Sequence, residues 1–257
     1  MKMLSLLLSQ VRYENRAFWR NPVSAFFTVA FPLMFLVIFN VLFGNEELET
    51  AQGTTSTSTF YVAGIVAMSL VGARYTNIAI GVSFARDQGL LKRIRGTPLP
   101  GPVYLAARMT HATLVALLLV AIVVGLGALL YGVDLPTRTL PAFLATLIVG
   151  AATFCALGLA VTAIIPNADA SPAIVNASIL PLLFISDVFI PMDSAPQWIT
   201  TVANVFPVRH FSAALFTSFN PFESGSGFRF TDLAVMGAWG VAGLVLASRF
   251  FRWEPGR

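Results

Sequence analysis

The sequence predicts an all-α membrane protein with six transmembrane helices and both termini on the cytoplasmic side. Three observations carry this. Hydrophobic residues make up 56% of the 257 and charged residues only 11%, against about 25% charged in a soluble domain. Several of the apolar runs reach or exceed the ~20 residues that cross a bilayer, which excludes a soluble helical protein with a large core. Lys and Arg are distributed unequally between the two sets of loops.

The elements follow in order. Residues 2–20 read as an amphipathic helix lying in the membrane interface: Leu4, Leu7, Leu8, Val11 and Phe18 fall near one face, Arg12, Arg16 and Arg20 add basic charge, and Trp19 suits the headgroup level. Its mixture of charged and apolar residues does not resemble a cleaved signal peptide. Asn21-Pro22 ends it. Six apolar stretches follow, Val23–Phe43, Phe60–Val82, Val103–Tyr131, Leu140–Ile165, Pro172–Ile190 and Leu233–Phe250. The third is long enough to tilt or to begin in a cytoplasmic extension. Pro32 and Pro181 fall inside the first and fifth, where neighbouring helices accommodate them.

Orientation comes from the cations. Lys2, Arg12, Arg16, Arg20, Arg86, Lys92, Arg93, Arg95, Arg108, Arg249, Arg252 and Arg257 share one side; Arg138, Arg209 and Arg229 occupy the other, with the acidic Glu46, Glu47 and Glu49. The richer side is the cytoplasmic one, and an even number of spans gives the same parity. The net charge of +4 follows from this bias, with no nucleic-acid partner implied. On the outer side, Asn45–Thr59 is acidic, then Thr/Ser-rich, and predicts a flexible segment; Gly132–Thr139 predicts a short turn. Residues 191–232 hold too many apolar groups for solvent, among them Trp198, Phe206, Phe211, Leu215 and Phe219. They predict one or two short helices that dip into the outer leaflet or cap the bundle.

Two stretches carry candidate chemistry. In the cytoplasmic loop 84–102, Leu90, Leu91 and Ile94 share one face of a short helix, Arg86, Lys92, Arg93 and Arg95 occupy the rest, and Gly96, Pro98 and Pro100 end it. An apolar ridge with a charged rim is a knob a soluble partner could grip. The second stretch runs from Leu180 to Phe211. Phe184, Ser186, Pro191, Pro196, Trp198, Pro207 and Phe211 match a pattern of an apolar helix five, a proline, a proline–tryptophan pair, an apolar turn and Pro-x-x-x-Phe, while Arg86, Asp87, Gly89 and Pro98 match a cytoplasmic Arg-Asp/Glu-x-Gly…Pro segment. In this order on a six-span chain, they resemble the type-2 permease family of ABC transporters over nearly the whole length.

That resemblance implies the transmembrane subunit of an ATP-driven exporter in the plasma (inner) membrane. Residues 1–22 would be the connecting helix and 23–257 the transmembrane domain. Two permease copies, simplest as a homodimer, would bind two ATPase subunits that hold ATP and Mg; Arg86, Asp87, Gly89, Leu90, Leu91, Lys92, Arg93, Ile94, Arg95 and Pro98 would couple to them. Residues 191–232 would form the outer gate, with Pro191, Pro196, Trp198, Pro207 and Phe211. The cargo would be a hydrophobic or amphipathic small molecule such as a drug or antibiotic, alternatively a lipid or polysaccharide. The chain carries no phosphate-cradling Gly-x-x-x-x-Gly-Lys-[Ser/Thr] run, so an ATP site belongs to another chain and this one is not expected to be an enzyme. An ATP-independent transporter or channel, and a membrane-embedded enzyme, are the other classes. Against them stand the lack of a convincing inverted repeat and the absence of a nucleophile–base or metal motif among Ser69, Ser83, His111, Cys155 and Asp187.

Candidate substrate-pathway residues are Arg74, Phe184, Asp187 and Phe189. An arginine deep in a span costs roughly 2.5–3.5 kcal/mol, so Arg74 either lines a cavity for an anionic or polar substrate or bonds backbone carbonyls. Asp187 stands where the family usually has a small residue, often glycine. It is either solvated at the helix end, which is cheap, or turned to the cavity. His111 and His210 read as interfacial, without metal-ligand neighbours, and Cys155 as a small buried hydrophobe. Gly125, Gly127, Gly150, Gly158, Gly237, Gly240 and Gly243 predict close helix packing.

Overall fold

The computed structural model describes residues 2–44, 46–50, 53–97, 99–191, 195–220 and 222–251. The amphipathic helix α1 spans Lys2–Trp19, and Pro22 opens α2, Pro22–Phe43. Proline is suited to a first helical turn, where its missing N–H would have no partner. The next segment corrects the expectation of a flexible stretch. Strands β1 (Glu47–Thr50) and β2 (Gly53–Ser56) form an antiparallel hairpin with Glu47 opposite Ser56. Its base is pinned: Thr57 Oγ1 donates to Glu46 O at 2.7 Å and Ser58 Oγ to Gly44 O at 3.0 Å. Ser56 accepts from Thr59 N as the N-cap of the next helix.

The second span is one helical stretch, Thr57–Asp87, of 31 residues, interrupted by a π turn. It divides into α3 (Thr57–Val71), the turn Gly72–Thr76 and α4 (Asn77–Asp87). At 1.5 Å per residue it is about 46 Å long, beyond the ~30 Å hydrocarbon thickness. It therefore runs on past the predicted end at Val82 and carries Arg86 and Asp87 in its last turn. Helix α5 (Leu90–Arg95) follows, then α6 (Gly101–Tyr131) and α7 (Leu140–Val161).

The predicted fifth span, Pro172–Ile190, is not one helix. Helix α8 covers only Ser171–Phe184, about 21 Å at the helical rise, and the chain then turns through a left-handed residue, Asp187, at φ 55°. The outer segment holds α9 (Gln197–Ala203) and α10 (Pro207–Phe219), and α11 (Phe230–Phe250) closes the fold. Among the described residues, five helical stretches are thus long and apolar enough to cross a membrane, with α8 a shorter apolar one.

Helix α10 dips into the bundle. Phe219 meets Phe143 near the start of α7 and Phe211 meets Phe154 a further three turns along it, both with ring centroids 5.4 Å apart. In lipid no hydrophobic force drives helices together, so close backbone approach does. The Phe211 ring fills the space of a Cβ at Gly150, Val62 that at Gly127, and Thr153 and Ala156 those at Gly240 and Gly243, which joins α7 to α11. Gly125 and Gly237, expected to pack likewise, face open space.

Candidate functional site

The π turn is the junction of the fold. From its middle, Arg74 reaches two helices: Nε donates to Ala151 O of α7 at 3.1 Å, and Nη1 donates to Met109 O at 2.6 Å and Thr113 Oγ1 at 2.5 Å on α6. Tyr75 OH shares a 2.7 Å hydrogen bond with Ser178 Oγ of α8, and Asn77 Nδ2 donates to Thr28 Oγ1 of α2 at 3.1 Å. Helix α7 approaches so closely that a Cβ on Gly158 would stand 2.8 Å from Tyr75 O. A π turn inserts one extra residue and frequently marks a functional position in a helix. The structure places the Arg74 guanidinium on backbone carbonyls of two helices, where the side chain is buried.

Around this junction lies a cavity of about 940 Å³. Its walls are α2, the stretch from α3 through the π turn to α4, and α8. The α2 wall is an aromatic ladder, Phe27, Phe31, Phe35 and Phe39, spaced every four residues so that the rings share a face. Phe189 caps it at 5.9 Å from Phe35 and 6.2 Å from Phe39, with Phe184 5.1 Å further on. Both predicted pathway aromatics therefore line the cavity; Phe184 is exposed and Phe189 buried. A few polar groups interrupt the apolar lining, among them Ser69, Asn77 and Asn176. A second cavity, of about 650 Å³, adjoins it between α1, α4 and α6 and shares Phe27, Asn77 and Ile80 with it.

At the α4–α5 end the structure revises the predicted knob. Leu91 and Ile94 are buried among Val82, Ala85, Tyr104 and Leu159, so the apolar ridge faces this chain's own core. Leu90 is half-buried, and Lys92 and Arg93 face outward. Gly89 makes the α4–α5 corner at φ 68°, open to glycine at no steric cost. Arg86 is also buried: Nη1 donates to Thr162 O at 2.9 Å and Nη2 to Ile165 O at 2.5 Å. Asp87 Oδ2 accepts from Ala168 N at 2.5 Å. This Arg–Asp pair fastens the loop between α7 and α8 to the root of α5. The Arg95 side chain and Pro98 lie outside the described residues.

A polar clamp holds the dipping helices. Asp187 is half-buried and paired: its Oδ2 accepts from Arg209 Nη1 at 2.7 Å. Arg209 Nε donates to Asn204 Oδ1 at 2.8 Å. His210, read as interfacial, lies with Nδ1 2.5 Å from Asp232 Oδ1 and Nε2 2.8 Å from Asn204 O, and Arg229 bonds the other oxygen of Asp232. Of the predicted gate residues, Pro196 caps α9 and Pro207 opens α10. Pro191 is half-buried, Phe211 fully buried, and Trp198 points outward.

The match with known proteins covers most of the chain. Residues 6–220 fit the family described as ABC-2 type transporter. The chain belongs to the ABC-2 type transporter family. It is 28% identical over 218 residues to the daunorubicin resistance ABC transporter permease protein DrrB1 of Streptomyces coeruleorubidus, covering 82% of this chain and 74% of that one. It is 24% identical over 224 residues to the transport permease ycf38 of Porphyra purpurea, 86% of this chain and 75% of the other. The transport permease YvfS of Bacillus subtilis strain 168 is 23% identical over 212 residues, 82% and 84% of the two chains. The chain is thus an ABC-2 type transport permease, a multi-pass membrane protein. The left-handed backbone at Asp187 also explains why a glycine suits that position, and why aspartate, which tolerates this region better than most residues, can replace it.

Sequence reasoning missed three features. The four-residue phenylalanine spacing of α2 was legible as a ladder. The π turn left no sequence signal beyond an arginine inside an apolar run. The meeting of Glu14 with Arg108, at 3.9 Å between α1 and α6, joins residues too far apart in sequence for spacing to reveal.

Proposed function

We propose that this ABC-2 permease exports a hydrophobic or amphipathic small molecule, in the drug or antibiotic class, with energy from a separate ATPase subunit bound in two copies. The observation that carries the reading is the apolar cavity of about 940 Å³ between α2, α3–α4 and α8. Its volume suits a drug-sized ligand and its lining is mainly aromatic and aliphatic, with few polar groups to fix orientation. The resemblance to a daunorubicin resistance permease points the same way, and the sparse polar lining disfavours a polysaccharide. The partner ATPases would bind the α5 end, where Lys92 and Arg93 are exposed, and a second permease copy would complete the pathway.

The proposed topology is six crossings with both termini in the cytoplasm. Two sets of contacts support it. The α7–α8 loop meets Arg86 beside α5, and Leu91 of α5 shares a cluster with Ala247 of α11. At the other end, Thr139 Oγ1 before α7 donates to Ser218 O at 2.5 Å, and Phe60 of α3 meets Phe216 at 5.1 Å. The passage from Ser171 to Phe230 therefore links the two ends, with α8 and the Asp187 turn as one composite crossing.

Inverted membrane vesicles containing this chain and a co-expressed ATPase partner test the transport reading. ATP-dependent uptake of a fluorescent anthracycline is expected, absent when the ATPase's phosphate-loop lysine is replaced. Equal uptake without ATP, or by vesicles lacking this chain, overturns the reading.

A further inference from the structure

The cavity between α1, α4 and α6 is built around charges that the fold leaves incompletely matched. Arg108 projects from α6 and Glu14 from α1, their side chains only 20% and 12% exposed. They stand 3.9 Å apart, beyond hydrogen-bond reach. Arg108 Nη1 donates to Tyr104 OH at 3.1 Å, and Glu14 Oε1 accepts from Gln10 Nε2 at 3.2 Å. A guanidinium carries five donors, so most of the Arg108 fork stays available to the cavity it lines. The space is reserved for it, since a Cβ on Gly81 of α4 would overlap the guanidinium. One turn along α6, His111 lines the same cavity with its imidazole 8% exposed, tilted against Phe18 at 5.6 Å. Its Nε2 is buried with no hydrogen-bond partner, and burying a polar atom in that state is costly.

The geometry points to a binding site for the head of a zwitterionic amphiphile, one that carries a phosphate and an ammonium group. The phosphate takes donors from the Arg108 fork, and the ammonium pairs with the Glu14 carboxylate on the side away from Arg108. Arginine presents a planar fork that suits phosphate oxygens. A purely anionic head would meet Glu14 and a purely cationic one Arg108, whereas a head with both charges satisfies both. The tail has a path. The cavity shares Val23, Phe27, Ala73, Asn77, Ile80 and Pro172 with the larger apolar cavity, so hydrocarbon leads from the charged pair onto the phenylalanine ladder. The amphiphile is a lipid seated beside the cargo path rather than the cargo, so the site stands or falls apart from the transport reading: binding is measured without ATP and uptake with it.

The test is native mass spectrometry of the detergent-purified chain with dioleoyl phosphatidylethanolamine, dioleoyl phosphatidylglycerol and dioleoylglycerol. Phosphatidylethanolamine should bind about tenfold more tightly than phosphatidylglycerol, the scale of one charge-assisted contact, and dioleoylglycerol weakest. Glu14→Gln should abolish the preference for phosphatidylethanolamine over phosphatidylglycerol without weakening phosphatidylglycerol. Arg108→Gln should weaken both phospholipids about equally. The exchange Glu14→Arg with Arg108→Glu should restore the preference, which a purely structural role for the pair would not do. Free O-phosphoethanolamine should not displace the lipid at equal concentration; displacement would assign the site to a soluble phosphoester and overturn the amphiphile proposal. Equal binding of all three lipids, unchanged by Glu14→Gln, means annular lipid only and overturns it as well.

Discussion

Arg74 illustrates how a single buried cation can tie the helices of a membrane protein together. Its three bonds reach α6 and α7, and transmembrane hydrogen bonds contribute about 0.6 kcal/mol each, at most about 1.7. Arg74→Met keeps much of the volume and loses all three, so it should lower stability by about 2–4 kcal/mol, read as a fall in the thermal midpoint in detergent. Arg74→Lys should recover only part, because one ammonium lacks the fork that serves two helices at once. A cavity role predicts a different outcome: unchanged stability with altered cargo selectivity. The same scale explains Asp187, where backbone and charge act together. A residue at φ 55° is strained unless it is glycine, asparagine or aspartate, and of these only aspartate supplies the anion that Arg209 pairs with.

Helix α5 is where an element departs most from its sequence. Leu90, Leu91, Ile94 and the flanking cations describe an amphipathic turn correctly, but a periodicity does not say which face meets the bundle. The answer depends on α4 running on to Asp87, which places the apolar ridge against Tyr104 and Leu159. Leu91→Asp would put an unpaired charge into this core and should destabilise the whole chain. Lys92→Glu with Arg93→Glu changes only exposed charge and should leave the thermal midpoint within about 0.5 kcal/mol equivalent. The same double variant should reduce co-purification of the ATPase; undiminished co-purification would remove α5 from the coupling role. The five long apolar helices and the amphipathic α1 were legible because length and 3.6-residue periodicity are local properties. The hairpin was hidden because Thr and Ser serve equally as solvated linkers and as caps. The α8 end was hidden because Pro172–Ile190 is apolar throughout, and composition does not register a left-handed turn inside an apolar run.

At the scale of the molecule, the two ends of the bundle are each defined by contacts between distant segments, and topology follows from which end faces the cytoplasm. The 14-residue α8 is too short to cross alone; Arg86 holds the chain before it, and the Asp187–Arg209 pair ties the chain after it to α10. Helix α10 packs beside this turn, with Phe211 on Phe154 about two-thirds along α7, and Ser186, Val188 and Phe189 of the irregular stretch 185–191 are buried, as irregular backbone in a membrane interior requires. Single cysteines can read this arrangement because the native Cys155 is buried and can be replaced by alanine. In intact cells an impermeant maleimide should label cysteines at the exposed positions Glu47 and Ser226, and should reach one at the exposed Gln88 only after permeabilisation. Labelling of Gln88 and Ser226 from the same side would break the composite crossing. Labelling of Glu47 and Ser226 from opposite sides would leave an odd number of crossings between them, and either result would place α8 and α10 together as a hairpin that enters and leaves by one face.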